Sequence, residues 1–287
     1  MALMKFSLLF FYTEDIFDLI REIRMLNQKW KFSKYSKLIK EANSLDKLVL
    51  SLLSGCCLIG GVGYLVIPFI KNIYSIFYGS VLAYDMPYKT AFFYDVTQSP
   101  AYALTYMVQT YWTYITITLN ITVDTIFFGF CLNICVHYKI LRKIINEMDV
   151  KDFVSYHQKV IDMTLKLNEL FSFVIFIEFL LLSILLCVTA FQVVMSDDLL
   201  RIMTAFFHGM AAFLDLLIYS YGGQKVMDYS AEVCDDCEKI DDHYVFISMR
   251  SQKVVKIKSM MFHASLPTFN LILSRTMSLI TLLQSFL

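Results

Sequence analysis

Residues 170–221 read LFSFVIFIEFLLLSILLCVTAFQVVM, then SDDLLR, then IMTAFFHGMAAFLDLLIYSY. Two apolar runs, Leu170–Met195 and Ile202–Tyr221, are separated by a few residues that include Asp197 and Asp198. Each run is near or above the ~20 residues with which a helix crosses a bilayer. So short a connection makes them an antiparallel pair of membrane helices, joined by a turn outside the hydrocarbon.

Three further apolar stretches, Leu48–Ile70, Ala101–Tyr138 and Phe262–Leu287, bring the spans to five. The Lys and Arg residues between them fall into alternate gaps. Nine precede the first span (Lys5 to Lys47), six follow the second (Lys139 to Lys166) and six follow the fourth (Lys225 to Lys258). The other two gaps hold just Lys71, Lys89 and Arg201. Basic loops stay on the cytoplasmic side, so the pattern places the N-terminus inside and the C-terminus outside. The fold class is an all-α polytopic membrane bundle, read as a single domain over 1–287 with no internal repeat.

Composition agrees. The chain is 57% hydrophobic and 17% charged, with mean hydropathy +0.58 and zero net charge; globular domains are roughly 45–50% apolar. Once the basic residues are assigned to topology, no basic surface remains for nucleic acid. Five of the seven cysteines lie in apolar spans, where Cys is a small hydrophobe. Cys234 and Cys237 form a lone CxxC, expected in a cytoplasmic loop as inert thiols, because a zinc site needs a further ligand pair. No cofactor or metal is indicated.

Residues 14–47 place Ile16, Leu19, Ile20, Ile23 and Leu26 at helical spacing, which predicts a cytoplasmic amphipathic helix or one continuing out of the membrane. The second stretch is 38 residues long with Asp124 as its one formal charge. It is too long for ~30 Å of hydrocarbon and is expected to project on the cytoplasmic side. The third span is preceded by a second amphipathic run, Val160 to Asn168. The sequon Asn120-Ile121-Thr122 falls inside a span and is therefore a poor glycosylation site. Gly55, Gly60, Gly61 and Gly63 in the first span serve either close helix packing or room for a ligand beside Tyr64.

Asp124, Glu178, His208, Asp215 and Arg275 are ionisable groups within spans, and such groups are functional candidates. Asp124 and Glu178 are expected to be structural partners, and the set is too dispersed in sequence for a shared catalytic site. No HExxH, GxSxG or P-loop pattern occurs, so the residues offer no enzyme.

Several short motifs carry a resemblance. Met86-Pro87-Tyr88-Lys89 and Tyr94 to Pro100 in the external loop resemble the corresponding loop of insect odorant receptors. The resemblance continues through Asp124-Thr125-Ile126-Phe127, His137-Tyr138-Lys139-Ile140-Leu141, His157, Leu167-Asn168-Glu169-Leu170-Phe171-Ser172 and Cys187 with Phe191-Gln192. It ends with Tyr221-Gly222-Gly223-Gln224, Ser230 and Arg250-Ser251-Gln252-Lys253. Together these motifs run in family order over most of the chain.

The resemblance implies a seven-helix subunit of a tetrameric, odorant-gated, non-selective cation channel, in which a tuning receptor assembles with a shared co-receptor in the plasma membrane of olfactory neuron dendrites. It further implies an apolar pocket for a small volatile odorant, a pore lined by the last helix, and an anchor formed by the cytoplasmic ends of the later helices. Aromatic and Met side chains suit such a pocket. Tyr64, Met107, Tyr111, Trp112, Met210 and Phe213 are the candidates for it, and helix packing is the other role open to each. Leu279, Leu282 and Leu283 are the expected dewetting gate, with Ser285 as a polar lining group.

The sequence departs from the family pattern in places. Residues 1–26 are similar to the end of the family's second helix, so five full spans stand where seven are expected. The loop from Cys237 to Arg250 is short, and Ser278-Leu279 replaces a Ser-Tyr pair. A truncated, non-functional receptor fragment and a gustatory-type chemoreceptor are the alternative readings. A transporter would show an inverted repeat with broken helices, and a G-protein-coupled receptor would place its C-terminus inside.

Overall fold

A computed structural model describes residues 2–78, 86–88, 90, 92–95, 100–238, 257–259 and 262–285. The described residues form α1 (Ala2–Phe11), α2 (Thr13–Trp30), α3 (Ser36–Phe77), α4 (Ala101–Ile144), α5 (Val150–Met195), α6 (Leu199–Glu238) and α7 (Leu266–Ser285). A single antiparallel bridge, Lys258 to His263, is their one piece of extended pairing. Four helices, α3 to α6, are long and apolar enough to cross a membrane. Helix α7, the fifth expected span, has 20 residues, about 30 Å at the helical rise. It begins at Leu266 rather than Phe262: the Ser265 hydroxyl accepts a bond from the Thr268 amide (3.4 Å) and caps the helix.

The helices overrun the bilayer. With 44, 46 and 40 residues, α4, α5 and α6 extend about 60–70 Å, twice the hydrocarbon thickness. The projection expected of α4 is shared by its neighbours. Helix α6 does not stop at Tyr221 but continues to Glu238, so Cys234 and Cys237 lie on a helix and are buried, not in a loop.

Where each helix is buried follows from its surroundings. Phe127, Cys131, Ile134, Tyr138 and Leu141 of α4 are buried against Phe153, Val160, Leu167 and Phe171 of α5. The first half of α4 leaves Leu104, Met107, Tyr111 and Tyr114 exposed. An apolar side chain facing lipid tails loses nothing, whereas the extension beyond the bilayer must hide its apolar side chains from water. Motif residues hold this extension together: His137 Nδ1 and Tyr156 Oη are 2.8 Å apart, and Tyr138 Oη and Thr164 Oγ1 3.2 Å.

The predicted amphipathic helix over 14–47 is two helices. Ile16, Leu19 and Ile23 of α2 are buried as its periodicity requires. The chain then turns over 31–35, where the Ser33 hydroxyl donates to the Trp30 carbonyl (2.7 Å) and accepts from the Tyr35 amide (3.2 Å). Such local bonding by serine competes with helix continuation. Lys34 pairs with Glu147 in the α4–α5 connection (2.6 Å), and Arg142 bonds Asp236 of α6 (2.6 Å) and Glu232. At the opposite end Asp198 caps α6, accepting from the Leu200 amide at 3.1 Å, and lies 3.6 Å from Lys71.

Gly223 explains how α7 reaches the bundle. A Cβ there would collide with the carbonyl oxygen and side chain of Ala264, so glycine lets the strap before α7 lie on α6. Asn168 accepts from the Lys258 amide (2.5 Å), tying the same strap to α5.

Candidate functional site

Helices α3, α4 and α6, with Leu185 of α5, line a cavity of about 640 Å³, within the range of small-molecule sites. Each wall is one helical face. Gln109, Trp112, Thr113, Thr116, Ile117 and Asn120 recur at three- and four-residue spacing on α4, as do His208, Ala211, Ala212 and Asp215 on α6. Gly60, Gly61 and Tyr64 supply the α3 wall. Further along α3, a Cβ on Gly63 would stand 3.0 Å from Thr204 Oγ1 of α6, so the glycine allows the two helices to approach closely.

One side of the cavity is covered by Tyr88. Its amide donates to Gln109 Oε1 and its carbonyl accepts from Gln109 Nε2, both at 3.1 Å; its hydroxyl accepts from Thr113 at 3.2 Å. The Tyr88 ring stacks on Tyr64 (centroids 6.1 Å), and Tyr64 meets His208 edge-on (5.5 Å). Tyr64 also borders a second cavity of about 730 Å³, which reaches Phe191, Gln192, Met195 and Asp198.

A charged cluster lies behind the first cavity. Lys5 Nζ is 2.6 Å from Asp124 Oδ1 and 3.2 Å from Glu178 Oε1, all three side chains fully buried. The Tyr219 hydroxyl donates to Asp124 Oδ1 at 2.6 Å. Asp215, also buried, belongs to this electrostatic group and to the cavity wall. Far apart in sequence, Asp124, Glu178 and Asp215 are thus brought together, and Lys5, counted above with the cytoplasmic residues, is inside the bundle. Among the described residues no group of His, Cys, Asp and Glu is arranged to hold a metal ion.

Of the residues singled out from sequence, Tyr64 and Trp112 line the 640 Å³ cavity. Met107 and Tyr111 lie off the cavity-facing row of α4 and are about two-thirds exposed. Met210 lies beside the α6 row, and Phe213 instead packs edge-on against Phe269 of α7 (5.4 Å). Leu279, Leu282 and Ser285 are exposed on α7; the side chain of Leu283 falls outside the described residues, as do Val96–Ser99 and Arg250–Lys253 of the motifs. Residue type selects Met107 and Met210, whereas the helical spacing of polar residues within spans is the signal that marks Asn120, His208 and Asp215.

The family described as 7tm Odorant receptor matches residues 1–277. The chain belongs to that family. It is 23% identical to odorant receptor 82a of Drosophila melanogaster over 313 residues, covering 99% of this chain and 81% of that protein. With odorant receptor 9a of Drosophila melanogaster it shares 24% identity over 311 residues, covering 100% of this chain and 78% of the relative. The fold is similar to that of the olfactory receptor OR5 of Machilis hrabei, with TM-score 0.80 and 15% identity over 98% of this chain and 77% of that one. Against the same receptor in complex with eugenol, the TM-score is 0.75 at 16% identity, over 88% and 70% of the two chains. This odorant receptor family consists of receptors rather than enzymes.

Proposed function

We propose that this odorant receptor is the odorant-binding tuning subunit of a heteromeric, ligand-gated, non-selective cation channel in the plasma membrane of olfactory neurons, with a co-receptor subunit as partner. The observation that carries the reading is the 640 Å³ cavity, whose walls come from separate long helices. A volatile ligand held between them favours one helix arrangement over another, and differential affinity is what shifts such an equilibrium. A route to the last helix exists: α6, which supplies His208 and Asp215 to the cavity, also supplies Phe213, whose ring meets Phe269 on α7.

Helix α7 packs on α5 and α6 and leaves Leu271, Met277, Leu279 and Leu282 exposed. That apolar face suits a pore-lining helix awaiting other subunits, with Leu279, Leu282 and Leu283 as the gate and Ser285 beside it. The alternating basic gaps support the orientation with the N-terminus inside. The test is co-expression with a co-receptor in heterologous cells, recording odour-evoked inward current while G-protein signalling is blocked. The expected result is a current that needs both subunits and is abolished or reduced by Trp112→Ala. Current that vanishes when G-protein signalling is blocked would refute the channel assignment.

A further inference from the structure

The cavity is aromatic and apolar over most of its wall, but its deep end carries two acceptors with nothing to accept. Asp215 Oδ1 and Asn120 Oδ1 are both buried without a hydrogen-bond partner, and both residues line the cavity. Asp215 itself is 5% exposed. A buried acceptor left unsatisfied is costly and needs an explanation.

The charges around Asp215 sharpen the point. On its buried side stand Lys5, Asp124, Glu178 and Tyr219. His208 is on the same wall two turns away, and Cys56 and Cys57 face it from α3. Lys5 is engaged by Asp124 and Glu178, and the Tyr219 hydroxyl is given to Asp124. Asp215 meets Asp124 through a side-chain hydrogen bond on its buried side, and its Oδ1 is the acceptor left over on a residue of the cavity wall. Buried charge is tolerated when it is paired.

We propose that the odorant site accepts a small aryl- or alkyl-ammonium ion, its nitrogen donating to Asp215 Oδ1 and Asn120 Oδ1 and its hydrocarbon lying among Trp112, Tyr64 and Tyr88. The inference rests on the cavity being the odorant site. An ammonium group has three donors and a positive charge, so it satisfies both acceptors and adds a second cation to the acidic side of the cluster. A hydroxyl has one donor and no charge, and satisfies one acceptor at most. The aromatic rings add cation–π attraction for the same head group. An acid is excluded by the same arrangement, since its carboxylate would face Asp215.

The test uses the full chain in lipid nanodiscs at neutral pH, with binding of 2-phenylethylamine and of its neutral counterpart 2-phenylethanol measured by calorimetry. The expected result is amine binding roughly tenfold tighter than alcohol binding, as a charge-assisted hydrogen bond provides. In Asp215→Asn the amine should lose about that factor while the alcohol changes by less than about twofold. The comparison of the two compounds on the unaltered protein decides the matter even if the variant does not fold. Alcohol binding as tight as amine binding, or an equal loss of both in Asp215→Asn, overturns the ammonium proposal and leaves the cavity reading standing. No binding of either compound, together with an odour-evoked current unaffected by Trp112→Ala, overturns the cavity reading and the proposal with it.

Discussion

The Lys5 ammonium joins α1 to α4 through the Asp124 carboxylate, 2.6 Å away, with neither side chain reaching solvent. Glu178 of α5 closes the same contact at 3.2 Å, so three helices meet at one cation. Replacing Lys5 leaves two carboxylates buried without their counter-charge. Lys5→Met is expected to destabilise the bundle by about 3–5 kcal/mol, read as a lowered melting temperature in nanodiscs. Adding Asp124→Asn and Glu178→Gln removes the orphaned charges and should recover most of the loss. A Lys5→Met protein as stable as its parent would contradict this role.

Tyr219 supports the same carboxylate. Its hydroxyl donates to Asp124 at 2.6 Å while its ring stacks on Phe127 at 4.6 Å between centroids. Tyr219→Phe keeps the stacking and deletes the bond to a charged group, for a loss of about 1.5–3 kcal/mol. Tyr138→Phe, which deletes a neutral 3.2 Å bond to Thr164, should cost about 0.5–1.5 kcal/mol. Thermal unfolding of the two variants side by side checks the order.

Gly223 and Gly55 provide a matched pair. A methyl group at Gly223 meets the backbone of Ala264, whereas nothing stands within 4 Å of one at Gly55. Gly223→Ala should therefore displace the strap before α7 and cost about 1–3 kcal/mol, with reduced surface delivery in cells. Gly55→Ala should be neutral or stabilising by up to about 1 kcal/mol, from helix propensity. Equal behaviour of the two would show that the close approach to Ala264 does not matter.

The Lys34–Glu147 pair is exposed and links the α2–α3 turn to the α4–α5 connection. The hydrogen bond from Lys34 holds the Glu147 carboxyl below its ordinary range, and the bond to Glu147 holds the Lys34 ammonium above its own. A depressed carboxyl contributes above its unfolded pKa and loses that contribution as pH falls through the folded value. A raised ammonium contributes fully below its unfolded pKa and loses it as pH rises through the folded value. The link is thus complete at neutral pH and weakens on acidification and in strong alkali. Hydrogen exchange over residues 31–35 should quicken, relative to the rest of the chain, between neutral and acidic pH, and Glu147→Gln should abolish that difference. A surface pair has little effect on global stability, so the melting temperature should barely move.

Much of the architecture was open to a reader of residues 170–221 and their counterparts. Membrane helices announce themselves through twenty consecutive residues that share one property, and the sidedness of the basic gaps is a matter of local counting. The ends of the helices were less legible. The extensions of α5 and α6 beyond the bilayer mix polar and apolar residues, so Cys234 and Cys237 read as part of a loop although α6 runs through them. In the cavity, Tyr64 and Trp112 stood out by type, but Asn120, His208 and Asp215 take part by virtue of the face they share. Met107 and Tyr111, chosen by the same chemical criterion as Trp112, point elsewhere because one residue along a helix is a rotation of about 100°.

Local composition sufficed for the all-helical membrane class and the places of the spans, because transfer into lipid depends on each segment's own side chains. It could not place Lys5. A lysine near the start of a chain is counted with the water-facing residues unless something buried can neutralise it, and its partner Asp124 lies 119 positions away on another helix. Packing of α1 against α4 and α5 supplied that partner. The same packing turned Asp215 toward the cavity with an acceptor unfilled. Where a charge finds its counter-charge is settled by contacts between distant segments, and those exist only once the helices have assembled.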